Sequence, residues 1–359
     1  MHTFRSLPVT TSFAALVVAV TMSLAGTTGA SGAETGSEEQ IVDATVEAMA
    51  DHYEGSAVAP EPIQGPEAEI AITPELGVDT GQSFTVTAPE SGLAEGDRGD
   101  LELSDDSLPA TFLDTASGET RIITTVRDRD AAADFEYVIN GVVDPYLVEL
   151  EDGTFKVLDH NDRYVVDLAA PWAVDAAGRY LETSYSLEDS KLTQTIDYTG
   201  AVFPVVADPS WGYSVDHGVF QLVTGKEKAT PARVLKELRR CFNCSFPVQG
   251  APRAFPAVGQ DIRLNASPFT CINVGYINAT VEMRYVTSTS FAFTALKGHF
   301  DGAGSTISFT FYNDRSGFLH LSVRAHIMRD GGAANAVNQR IASETWNTFL
   351  ANLIRQKTL

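Results

Sequence analysis

His299, Asp301 and Ser305 fall within one turn-rich stretch, and His320, Arg324 and His326 follow on a single alternating segment. A histidine held by a carboxylate can take the proton of a serine hydroxyl. His299 and Asp301 with Ser305 are therefore the candidate catalytic set, and His320 is a second candidate base. Arg324 and His326 are the candidate binding residues. His320 and His326 stand six residues apart, about 20 Å along an extended strand, too far to hold one metal ion together. The plainer alternative is a solvated sheet face and a polar turn. Glycines 298, 302 and 304 have no helix after them, so they do not form a phosphate loop.

Cys241, Cys244 and Cys271 are the only cysteines. Cys241-Phe-Asn-Cys244 has redox-motif spacing, but it closes a predicted helix, whereas a thioredoxin-like pair opens one. A zinc site lacks a fourth ligand at a typical spacing, so no metal is expected. The expected state is one disulfide tying the helix end to the segment around Cys271, as Cys244–Cys271 ahead of Cys241–Cys271, with one thiol left over. Asp105-Asp106 and Asp128, Asp130 and Asp134 fix no spacing for calcium or glycoside chemistry and read as solvated surface. No cofactor is implied.

The elements that must position these residues differ along the chain. Residues 38–53 form a predicted helix with a thin apolar face, Ile41, Thr45, Ala48 and Met49, and acidic neighbours, which reads as a mobile or loosely docked segment. X-Pro units at 59–66 read as a linker. From 68 to 208, short β-branched and aromatic runs recur between turn signals, as in an antiparallel sandwich or roll. Thr230-Pro231 then starts a helix carrying Val234, Leu235, Leu238 and Phe242 at helical spacing. Strands are expected at 281–287, 291–296, 306–312 and 318–328, and a helix at 333–355 with Trp346, Phe349, Leu350 and Leu353 on its apolar stripe. In 318–328, Leu319, Leu321 and Val323 point one way and His320, Ser322 and Arg324 the other. The apolar face should meet the last helix. The polar face is left to water, to the acidic half or to a ligand.

The chain has 359 residues and a net charge of −22. From His217 onward 16 Lys and Arg face 8 Asp and Glu, whereas the preceding residues hold 9 against 39. Such a split suggests separate partners or mutual attraction between the halves. Residues 1–33 have the parts of an export signal: Arg5, an apolar run from Phe13 to Leu24, and the small residues Ser31 and Ala33 before Glu34. The apolar run is too short for a membrane span, and none is expected after signal removal.

The stretch from Val165 to Gly178 with Phe203-Pro-Val-Val-Ala-Asp-Pro-Ser-Trp211 resembles a segment of exported, wall-associated actinobacterial proteins. Gly298 to Tyr312 with the Trp346 helix is similar to the C-terminal part of uncharacterised secreted proteins of that group. The first resemblance implies a presentation module, and the second implies no known activity. The element order of the second half also resembles helix-grip proteins, in which a curved sheet wraps a long helix around an apolar cavity.

The expected organisation is multi-domain: signal peptide 1–33, acidic segment and linker 34–66, an acidic all-β domain 67–210, and a basic α+β domain 211–359 with an antiparallel sheet and a long C-terminal helix. The expected role is a non-enzymatic binding module, secreted or wall-associated, whose basic part engages an anionic envelope polymer or a protein. No nucleic-acid partner is expected. The alternatives are an enzyme or toxin-like effector in the C-terminal part and a carrier of an apolar ligand.

Overall fold

Alternation of apolar and polar residues builds most of the strands. In Asp134–Asn140 the side chains of Phe135, Tyr137 and Ile139 are buried while Asp134 and Glu136 face water. Lys191–Ile196 repeats the pattern with Leu192, Gln194 and Ile196 inward. The computed structural model describes residues 38–53, 60–64, 68–74, 81–95, 101–103, 105, 107–115, 118–219, 225–266, 277–328 and 333–359. Among these the chain is mostly β, with three principal sheets and three α-helices.

The first half forms a nine-stranded and a five-stranded antiparallel sheet. They share one core, to which one sheet gives Val86, Phe135 and Tyr137 and the other Val126, Val166, Leu168 and Trp211. Each such side chain contributes about 1.5–3 kcal/mol by leaving water.

Helix α1 (Glu38–His52) closes one side of this half. Its docking corrects the expectation of a mobile or loosely docked segment. Ile41, Ala48 and Met49 are buried with Phe112, Ile123 and Trp172, and the Thr45 and Thr125 hydroxyls lie 2.6 Å apart. The apolar face is short, but every residue on it finds a partner.

Ser210–Gly212 is the last strand of the first half, and Val215–Gly218 begins the next sheet. That sheet has six strands, in the order Val215–Gly218, Leu319–His326, Thr306–Asn313, Ser290–Ala295, Val281–Val286 and Asp261–Ile262. Two helices cover its apolar face, α2 (Pro231–Arg240) and α3 (Ala333–Arg355). As the alternation predicts, Leu319, Leu321 and Val323 enter this core with Trp346, Phe349, Leu350 and Leu353. Thr35–Leu359 forms one compact unit, so the acidic and basic halves touch.

The disulfide differs from the expectation. Cys241 is bonded to Cys244, with Cα atoms 5.4 Å apart, which corrects the Cys244–Cys271 pairing; Cys271 itself lies outside the described residues. The physical reason is local. Helix α2 ends at Arg240 and the chain turns at once into a 3-10 segment, Phe242–Cys244, which brings positions three apart within bridging reach. Among the described residues no helix is long and apolar enough to cross a membrane.

Candidate functional site

The candidate histidines occupy different ends of the six-stranded sheet. Thr306 pairs with His326 and Tyr312 with His320, so the turn holding His299 lies beside His326. His320 is about 20 Å further along the hairpin. His299, Asp301 and Ser305 do lie together, but their hydrogen bonds run the wrong way for catalysis. His299 Nδ1 accepts the Asp301 backbone N–H at 3.1 Å, so that nitrogen has no proton to give the Asp301 carboxylate, 3.8 Å away. The Ser305 hydroxyl donates to the Asp301 carbonyl at 2.8 Å and accepts the Met328 N–H at 2.9 Å. Burial lowers the His299 pKa and raises that of Asp301 to about 6. A ring whose charged form burial disfavours, an acid of raised pKa and a hydroxyl committed to the backbone form a turn brace.

His320 is fully buried between two carboxylates. Nδ1 lies 2.9 Å from Asp216 and Nε2 3.3 Å from Asp314. The Tyr312 hydroxyl donates to Asp216 at 2.7 Å, and its ring stacks on the imidazole at 4.7 Å. Burial opposes the charged ring, but the two carboxylates, Asp216 first, outweigh it and raise the pKa to about 9. The imidazolium therefore serves as a buried cationic tie between Val215–Gly218, the strand of His320 and the turn at Asp314. With the three side chains 0–1 % exposed, no substrate reaches them.

Arg324 and Ser322, on the polar face, meet the acidic half. Arg324 pairs with Glu119. Ser322 accepts from Lys156 Nζ at 2.6 Å, and the same ammonium holds Asp167 at 2.6 Å and Ser214 at 3.0 Å. Nearby, Arg315 bonds Asp162 at 3.2 Å and the His160 carbonyl at 2.8 Å. Glu151 accepts from the Thr287, Ser288 and Thr289 hydroxyls at 2.8, 3.0 and 2.8 Å, and these bonds, Thr289 first, lower its pKa. His326 is exposed at the end of its strand. The strand reading missed Lys156, although a lysine between Phe155 and Val157 in an otherwise apolar strand is the kind of residue that needs a buried anion.

A second buried network was also missed. Asp208, inside the Phe203–Trp211 stretch, is fully buried and accepts from the Trp172 N–H at 3.2 Å, the Tyr185 hydroxyl at 3.1 Å and the Tyr53 hydroxyl at 3.3 Å. Trp172 Nε1 donates to the Tyr53 hydroxyl at 2.9 Å, and His52 stacks on Trp172 at 4.4 Å. Arg121 lies 3.7 Å over the Tyr53 ring and is held by Asp114 and Glu119. Burial lifts the Asp208 pKa to about 7 against the pull of these donors. The network pins the end of α1 to the β half. The surface carboxylates make turns: Asp105 accepts from Ser107 at 2.8 Å, and Asp128 from the Asp130 N–H at 2.9 Å.

Phe246, Phe309, Phe349 and Trp346 pack together in the core between the sheet and the later part of α3. Phe309 stands edge-on to Trp346 at 4.8 Å, and Phe246 edge-on to Phe349 at 5.3 Å. Rings at these spacings are in contact. These features define a β-rich protein with an acidic and a basic half, braced by buried ion networks. No family model matches the chain, and no curated protein matches it. Similar solved structures include the di-domain ARO/CYC StfQ from the steffimycin biosynthetic pathway, at 11 % identity and TM-score 0.27, covering 80 % of this chain and 96 % of that one. DynU16 from the dynemicin biosynthetic locus matches at 10 % identity and TM-score 0.25, over 81 % and 98 %. The di-domain ARO/CYC BexL from the BE-7585A pathway matches at 8 % and 0.27, over 81 % and 97 %. Likeness at this level carries no argument about activity.

Proposed function

We propose that the chain is an exported, non-enzymatic binding protein of two domains, all-β and then α+β, whose basic C-terminal part engages an anionic partner at or beyond the cell surface. The observation that carries this reading is the division of the cations. Arg315 and Arg324 are spent on carboxylates of the acidic half. Lys236, Arg239, Arg253 and Lys357 are exposed and have no carboxylate partner among the described residues. A protein of net charge −22 that keeps a cationic surface concentrates it against an anion. The enzyme reading loses support from the bonding of His299, Asp301 and Ser305 and from the sealing of His320. The carrier reading loses support from the rings between sheet and α3.

The test is retention of the chain from Glu34 to Leu359 on purified cell envelope at low and high salt. Salt-sensitive retention is expected. Retention that is absent at low salt, or unchanged by salt, would overturn the reading.

A further inference from the structure

We infer, resting on the anionic-partner reading above, that the outward face of α2 with the adjoining residues 253 and 355–357 is a seat for a linear phosphate-bearing polyanion. In Pro231–Arg240, Val234, Leu235, Glu237 and Leu238 are buried. The helical repeat turns Arg233, Lys236, Arg239 and Arg240 outward together, and all four are exposed. The chain's last residues lie against this helix. Thr358 bonds Glu237, Arg233 bonds the Leu359 carbonyl and Gln356 bonds the Cys244 carbonyl at 3.1 Å. Arg355 and Lys357 are thereby brought beside α2, both exposed. Arg253 is exposed too, and its carbonyl accepts the Phe242 N–H at 2.8 Å at the helix end.

Arg240 is answered by Glu237 and Arg233 is held by the Leu359 main-chain oxygen, whereas Lys236, Arg239, Arg253, Arg355 and Lys357 meet no acid among the described residues. Glu227 is fully buried, and Glu237 is 4 % exposed and engaged by Arg240 and Thr358. No exposed acidic side chain lies on α2 or in 355–359.

The geometry selects the class of anion. A small anion is gripped by convergent, buried donors, whereas these cations stand on long side chains spread along a helix of about 15 Å and its neighbours. Each contact is screened and weak, so binding needs many at once, which a chain of repeated charges supplies. A membrane surface would also need apolar side chains to enter the headgroup layer. None of the large exposed apolar residues lies on α2 or in the final segment.

Binding of the chain from Glu34 to Leu359 is measured with three probes: long-chain inorganic polyphosphate, orthophosphate at equal phosphate concentration, and vesicles of equal phosphatidylglycerol and phosphatidylcholine. Polyphosphate alone should bind, and about four phosphate contacts would give a fall of about 50-fold in affinity from about 50 to about 200 mM salt. Lys236→Glu with Arg239→Glu should weaken it by about tenfold or more, and Lys191→Glu on the acidic half should leave it unchanged. Both variants should keep the circular dichroism spectrum of the parent. If polyphosphate binds but the double variant binds it equally, or if vesicles bind and polyphosphate does not, this surface is overturned while the anionic-partner reading stands. If no anionic probe binds, both fall.

Discussion

At the scale of single residues, two buried acid–base groups set how the protein responds to pH. Asp208 has its pKa raised to about 7 by burial, above an unfolded value of about 3.9. Its protonated form is favoured by folding, so its contribution is fully present below about pH 4 and is lost as pH rises through about 7. His320 has its pKa raised to about 9 from an unfolded value of about 6.5. Its contribution, on the order of 3 kcal/mol, is fully present below about pH 6.5 and is lost as pH rises through about 9. Both groups act in the same direction. The melting temperature should therefore fall steadily from mildly acid to alkaline pH. Asp208→Asn should flatten the lower part of that profile and His320→Gln the upper part. A profile that rises with pH over this range would contradict both assignments. His320→Gln should also cost about 3–5 kcal/mol in denaturant titrations at neutral pH, because it leaves Asp216 and Asp314 buried without their cation.

At the scale of elements, the disulfide makes a sharp prediction. A bridge closing so short a loop stabilises by only about 2 kcal/mol in the chain-entropy account. Cys241→Ser with Cys244→Ser should cost about that much in denaturant titrations and leave the fold intact. Peptide mapping of unreduced protein should recover Cys241 linked to Cys244 within one peptide; a peptide joining either to Cys271 would reinstate the longer bridge. The pairing was illegible in the sequence because it depends on how abruptly α2 stops, and helix ends are the least legible feature of a chain. The strands around His320 were legible because Leu319, Leu321 and Val323 alternate with polar residues, and the C-terminal helix because Trp346, Phe349, Leu350 and Leu353 recur at helical spacing. The docking of α1 was not, since its partners Thr125 and Trp172 lie far along the chain. The same holds for the candidate site. Residue types marked His320 and Arg324 as notable, but only the fold shows that their partners are Asp216, Asp314 and Glu119.

At the scale of the whole molecule, the opposite charges of the two halves are spent on each other in unequal ways. The Arg324–Glu119 and Arg315–Asp162 pairs keep solvent contact, with the arginines 43 and 44 % exposed. Exposed pairs of this kind contribute about 0–1 kcal/mol each and weaken in salt. Lys156 differs, since its side chain and that of Asp167 are 6 and 7 % exposed, and its hydrogen bond to Ser322 crosses from one half to the other. The halves should therefore stay joined at salt concentrations that dissolve the exposed pairs, and melt in one calorimetric transition. Lys156→Met strips Asp167, Ser214 and Ser322 of their shared donor and should cost about 3–5 kcal/mol. Adding Asp167→Leu removes the stranded charge, so the double variant should recover a large part of that loss. If the two substitutions instead add, with no coupling in the double-mutant cycle, then Lys156 does not act through Asp167, and its part in the joint is the buried hydrogen bond to Ser322 alone.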